Sequence, residues 1–172
     1  MNIPDIEEIY AELLSDIRAA IADLSQQPML LGIHSGGAWV AERLAADLNL
    51  SAKPGYLSSA FHRDDFSQRG LPQAIKTTDI PFDINGAQII LVDDILYTGR
   101  TIRAALNEIF DYGRPSNVEL AVLLDRGGRE LPIEPAYCGA YLALTAHQQF
   151  ILSRTTGEGS QMRFTLKLEE DS

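Results

Sequence analysis

Four consecutive apolar residues, Ile89-Ile90-Leu91-Val92, run directly into two aspartates, Asp93-Asp94, and a few residues later Tyr97-Thr98-Gly99-Arg100-Thr101 opens a new periodic stretch. A short, continuous, β-branched run of this kind is the pattern of a strand covered on both faces, as in the middle of a parallel sheet. Such a strand must be followed by a crossover, and Ile102, Leu106 and Ile109 supply a helical stripe that stops near Gly113 and Pro115. The same grammar recurs on either side. Met29–Ile33 is an apolar run ending in His34-Ser35-Gly36-Gly37, followed by a helix with Val40, Leu44 and Leu48 on one face. Val118–Leu124 is a third buried strand, ending in Asp125-Arg126-Gly127-Gly128-Arg129-Glu130. Strands alternating with helices predict an α/β fold with a mostly parallel central sheet flanked by helices.

The remaining segments fit around that sheet. Ile6, Tyr10, Leu13, Ile17, Ile21 and Leu24 recur every three or four residues, which predicts an N-terminal amphipathic helix. Tyr56 to His62 reads as another strand, and Arg63 to Asp79 as a long loop of the kind that often closes over ligands. Met162–Leu168 alternates polar and apolar residues, as an edge or antiparallel strand does, and Glu169–Ser172 reads as a frayed tail. With 172 residues and no linker or repeat, one domain over residues 1–172 is expected.

Composition narrows the function. No stretch approaches the roughly 20 apolar residues of a membrane helix, and the acidic start Met1–Glu8 has no secretory pattern, so a cytoplasmic location and no membrane partner are expected. Cys138 is the sole cysteine, which rules out an internal disulfide or a thiolate zinc cluster and reads as a buried residue. The net charge of −10 repels polyanions, so DNA is not expected and RNA is disfavoured as a partner, whereas a small phosphorylated substrate needs only a local anion site.

Ligands of open α/β sheets bind beyond the carboxyl ends of the strands, where the three loops converge. In Tyr97–Thr101, two threonine hydroxyls, a glycine and the N–H groups of a helix start make a phosphate cradle. Asp93 and Asp94 suit the hydroxyls of a ribose and can orient waters of Mg²⁺, with no direct side-chain metal ligand assigned. An ordinary turn with Thr101 as helix cap would explain one threonine but not the two aspartates.

Val92–Thr101 resembles the phosphoribosyl pyrophosphate signature of type I phosphoribosyltransferases. Thr78–Ile84, Asp111–Pro115 and Asp125–Ile133 further resemble the PyrR family of uracil phosphoribosyltransferases, some of which also regulate pyrimidine operons by binding RNA. The likeness runs from about Leu31 to Tyr137. It implies the type I phosphoribosyltransferase fold, with a small hood and a flexible loop, and a reaction of uracil with phosphoribosyl pyrophosphate, with Mg²⁺, giving UMP and pyrophosphate. The alternatives are a regulator of pyrimidine-gene RNA with little catalysis, and transfer to hypoxanthine or guanine.

The resemblance also implies roles. Thr98, Gly99, Arg100 and Thr101 would hold the 5-phosphate, and Asp93 and Asp94 the ribose hydroxyls. Ser35, Gly36 and Gly37 would occupy the pyrophosphate loop. Arg63 begins the catalytic loop and is favoured over Arg69 and Lys76 as the residue that meets the leaving group. Arg126, Gly127 and Arg129 fall in the hood over the base. The family's pyrophosphate loop often reads Arg-Thr-Arg-Gly; here it is His-Ser-Gly-Gly, with neither arginine, which weighs further against RNA. A homo-oligomer, dimer or higher, is expected, with Trp39 either at its contact or in the core.

Overall fold

A computed structural model describes residues 5–58, 76–157 and 161–170. The elements run α1 (Ile6–Ile21), β1 (Met29–Ile33), α2 (Gly36–Asp47), β2 (Gly55–Leu57), β3 (Gln88–Leu96), α3 (Arg100–Tyr112), β4 (Asn117–Asp125), β5 (Tyr137–Tyr141), β6 (Gln148–Thr156) and β7 (Met162–Glu170). The first five strands form a sheet in the order β2-β1-β3-β4-β5, parallel at every pairing, while β6 and β7 make a separate antiparallel pair.

Alternation along the central strands sorts the core into two layers. Leu30, Ile90, Val92, Ala121 and Leu123 pack with α1 and α2; Leu31, Ile33, Ile89, Leu91 and Val122 pack with Ile102, Ala105 and Ile109 of α3. Both faces of β3 are therefore covered, which is why its sequence is uninterruptedly apolar.

Several expectations need correction. Leu24 lies beyond the end of α1 and is exposed. The second strand spans only Gly55–Leu57 in the described residues, and His62 and Arg63 fall outside them. β3 continues through Asp93 and Asp94 to Leu96, because β4 keeps pairing with it as far as Leu96↔Asp125. Met162–Leu168 is antiparallel as expected, but its partner is β6 and not the main sheet, and Glu169 and Glu170 pair with Gln149 and Gln148 instead of fraying. Trp39 packs against the core with Arg154 over its ring, 5.1 Å from the centroid.

The β6–β7 pair is fastened to α1 and α2 through Arg43. Its guanidinium meets both carboxylate oxygens of Glu7 at 2.9 and 2.6 Å and lies 3.9 Å from the centroid of the Tyr10 ring and 5.1 Å from that of Phe164. Glu7 also accepts the Phe164 N–H at 2.8 Å, and the Tyr10 hydroxyl donates to Asp47 at 2.7 Å. Burial pushes the Glu7 carboxyl up, but the bonds from Arg43 and Phe164 outweigh it and hold the group below its ordinary range. Arg43→Ala is expected to destabilise the fold by about 2 kcal/mol in denaturant melts, with Arg43→Lys recovering only part because it lacks the planar fork.

Candidate active site

The site begins where the ladders diverge. β1 stays paired with β3 only as far as Gly32↔Val92, whereas β4 follows β3 four residues further. Past Val92, the side of β3 facing β1 is released from the ladder, and the start of α2 settles against it. A methyl group on Gly36 would fall on the Asp94 carboxylate; one on Gly37 would collide with the Val92 carbonyl oxygen and lie 3.2 Å from Asp93 Oδ1. Only glycines allow this approach. Both carboxylates thus lie against the amino end of α2, whose Ser35 N-cap makes no side-chain capping bond and whose N–H groups favour negative charge. Asp93 is buried and accepts the Asp94 N–H at 3.0 Å; Asp94 accepts that of Ile95 at 3.0 Å. Gly36 and Gly37 are therefore brought to Asp94 and Asp93, with Ser35 preceding them as the N-cap of α2, and the peptide joining His34 to Ser35 is cis.

The Thr98–Thr101 turn lies beyond the end of β3. Gly99 adopts φ 91°, a left-handed conformation suited to glycine, and caps α3 with no side-chain bond. Thr101 is therefore not the cap but a first-turn residue of α3, and the plain capping explanation of this turn is set aside. Thr98 folds back so that its hydroxyl oxygen accepts the Arg100 N–H at 3.2 Å. Arg100 is half exposed and paired with Glu130 at 2.6 Å.

The segment after β4 clamps this turn. The Thr98 carbonyl accepts the N–H groups of Glu130 and Leu131 at 3.0 and 3.2 Å. Arg129 reaches across with every nitrogen engaged: Nε donates to the Ile133 carbonyl at 2.7 Å, Nη1 to the Tyr97 carbonyl and Asp125 Oδ1 at 2.9 Å each, and Nη2 to Asp125 Oδ2 at 2.5 Å. Burial pushes the Asp125 carboxyl up, but hydrogen bonds from Arg129 and from the Gly127 N–H, with the guanidinium charge, hold it below the usual range. The bonds to Asp125 in turn raise Arg129 further. Arg129 is thus a strut between the segment after β4 and the end of β3, with each of its nitrogens already bonded. Arg126 is buried, stacks 3.9 Å from the centroid of the Tyr97 ring and donates to the Thr145 carbonyl at 3.0 Å. Gly127 and Gly128 both have φ above +70°, and Gly127 leaves room for the Tyr141 hydroxyl.

Arg63 and Arg69 lie outside the described residues, but the flanks of their segment are anchored at the same rim. Tyr56 and Asp79 exchange backbone hydrogen bonds at 2.7 and 2.8 Å; the Ser58 N–H donates to the Thr78 hydroxyl at 3.0 Å, and that hydroxyl donates to Glu108. Two surface hollows, of about 360 and 270 Å³, lie elsewhere: one at the amino ends of the strands between Gln26 and Gln88, the other beside α3 and Pro132. The strut role of Arg129 and the clamp by Glu130 and Leu131 were not legible beforehand, because backbone partners leave no side-chain pattern. Among the described residues no group of three His, Cys, Asp or Glu side chains is placed to hold a metal, and no helix is long and apolar enough to cross a membrane.

Residues 2–146 match the family described as the phosphoribosyl transferase domain. A protein of Ralstonia nicotianae named Bifunctional protein PyrR is 49% identical over 166 residues, 96% of this chain and 94% of its own length. A protein of the same name from Pseudomonas entomophila is 46% identical over 157 residues, 91% of each chain. Among solved structures, a Trypanosoma cruzi hypoxanthine phosphoribosyltransferase superposes with a TM-score of 0.63 at 22% identity, covering 86% of this chain and 80% of that one. Another, in complex with the product IMP, gives 0.59 at 22% identity, with coverage of 84% and 80%. These structures share the fold. Near-half identity to the PyrR proteins along almost the whole chain, on that fold, makes this chain a member of the PyrR family of phosphoribosyltransferases.

Proposed function

We propose that the chain transfers the phosphoribosyl group of phosphoribosyl pyrophosphate to uracil, releasing pyrophosphate and forming UMP. The observation that supports this most is the joining of three loops at the carboxyl ends of β1, β3 and β4. Gly36 and Gly37 rest on Asp94 and Asp93, and the Thr98 turn is clamped by Glu130 and Leu131. In this reading the 5-phosphate meets the N–H groups and hydroxyls of Thr98–Thr101, while Asp93 and Asp94 accept the ribose hydroxyls. Ser35–Gly37 receive the pyrophosphate, and Arg126 and Gly127 stand over the base, with Arg129 holding them in place.

No side chain acts as a nucleophile. The bond from C1 of ribose to the pyrophosphate oxygen breaks, positive charge develops on the ribose, a ring nitrogen of the base bonds to C1, and that nitrogen's proton is lost. The protein's task is to stabilise the leaving charge and exclude water, to which Arg63 contributes. Two carboxylates, with no third metal-ligating side chain grouped with them among the described residues, suit Mg²⁺, which keeps its waters and binds mainly through substrate phosphates. Asp93 and Asp94 would hold it through water, and when bound it supplies positive charge to the pyrophosphate.

An RNA-regulatory reading requires a basic face built from Arg43, Lys53, Arg103 and Arg114. Arg43 is enclosed between two aromatic rings and paired with Glu7 and Asp47, which with the net charge of −10 weighs against it. The base is tested by offering uracil, hypoxanthine, guanine, xanthine and orotate separately with phosphoribosyl pyrophosphate and Mg²⁺. Pyrophosphate release is expected with uracil. Release only with a purine would overturn the base assignment, and silence with all five would favour the regulatory reading.

A further inference from the structure

His34 is the residue of the β1 loop to which the phosphoribosyl reading gives no task. The loop His34–Gly37 contains no arginine or lysine, although in that reading it receives a polyanion. The imidazole nevertheless has a fixed neighbour. The His34 backbone N–H donates to the Leu57 carbonyl at 3.0 Å, which continues the strand pairing past Ile33, and the imidazole itself lies 5.4 Å from the Tyr56 ring at 35°. The Tyr56 hydroxyl donates to Glu42 at 3.3 Å, and Arg154 of β6 donates to the other oxygen of Glu42 at 2.9 Å. The platform under the ring is thus fixed from β2, α2 and β6 together.

His34 Nδ1 is buried and has no hydrogen-bond partner among the described residues. A buried polar atom without a partner is costly and calls for an explanation. Among the described residues, the charged or titratable groups that act on the ring or stack with it are Tyr56 on β2, Glu42 on α2 and Lys76. Burial pushes the imidazole below its ordinary value, Lys76 pushes the same way, and Glu42 opposes them. In the free protein the balance is therefore tilted toward the neutral ring. An anion of several charges arriving beside it adds a field of the opposite sign, which favours the imidazolium.

Building on the phosphoribosyl reading, we propose that His34 is the leaving-group residue of this loop: it takes up a proton from solvent as pyrophosphate binds and supplies the positive charge that the loop otherwise lacks. Placed where the related pattern carries arginine, it makes that charge conditional on the ligand.

Titration calorimetry of pyrophosphate with Mg²⁺ into the full chain, in buffers of different ionisation enthalpy near neutral pH, tests this. The wild type is expected to take up to about one proton more per pyrophosphate than His34→Arg. Its affinity should also fall more steeply with rising pH, by up to about tenfold per unit. His34→Arg carries a permanent charge, so it should bind with a flatter pH profile; His34→Gln should bind more weakly, without the extra proton. The arginine variant also cancels the titration of pyrophosphate itself. Equal proton uptake and equal pH slopes in wild type and His34→Arg would overturn the proposal. Turnover without pyrophosphate binding would overturn it alone, whereas failure to bind either pyrophosphate or phosphoribosyl pyrophosphate would overturn both readings.

Discussion

Asp94→Asn is expected to lower kcat/KM for phosphoribosyl transfer by about 10- to 100-fold, the range for losing a hydrogen bond to a charged group. The fold should survive. Asparagine keeps an oxygen for the Ile95 N–H, which Asp94 accepts at 3.0 Å, and it fits the space beside Gly36. What disappears is the negative charge. If that charge serves only the amino end of α2, its removal costs at most about 1 kcal/mol of stability and leaves turnover intact. If it holds ribose hydroxyls, turnover collapses while the melting curve barely moves. Measuring both on one preparation separates the two roles. Gly36→Ala provides a companion, since its methyl would fall on the same carboxylate and should reduce activity by displacing Asp94 without altering its charge.

Arg129→Met is expected to destabilise the protein by about 3 kcal/mol, because it leaves Asp125 as an uncompensated buried charge. Asp125 is 5% exposed, and it loses both guanidinium contacts, keeping the Gly127 N–H at 2.9 Å. The loss should depend on pH in a definite direction. In the wild type the Asp125 carboxyl is held below its ordinary value, so its contribution is full above the unfolded value and is lost as pH falls through the lower folded one. In the variant burial dominates and raises the carboxyl, so the folded state gains from protonation. The gap between wild type and variant is therefore widest near neutral pH and shrinks on acidification. Adding Asp125→Asn to Arg129→Met should restore part of the stability at neutral pH, and a double-mutant cycle measures the coupling. A gap independent of pH would show that Arg129 matters for packing and not for its charge.

Much of the layout could be read from the chain. β1, β3, β4 and the three helices announce themselves because each meets a core face with a regular period, and the loops after those strands carry the unusual residues. Other parts obey rules that periodicity does not see. β5, Tyr137–Tyr141, is half-buried for four residues in a row. It shows no alternation because α1 lies directly on it, with Gly139 leaving room for Ile9. β6 mixes glutamines with apolar residues because it covers α2 on one side and pairs with a solvent-facing β7. Asp93 and Asp94 looked like the end of a strand because charge normally ends one; β4 carries the ladder past them. Arg126 and Arg129 were legible as a pair, but their division of labour was not. Arg129 is consumed by Asp125 and two carbonyls, while Arg126 stacks on Tyr97.

A crystal structure of the chain with phosphoribosyl pyrophosphate tests the account most directly. The 5-phosphate oxygens are expected within hydrogen-bond distance of the N–H groups of Gly99, Arg100 and Thr101, with ribose hydroxyls on Asp93 and Asp94. A phosphate bound elsewhere, with both aspartates still facing only the start of α2, would contradict it.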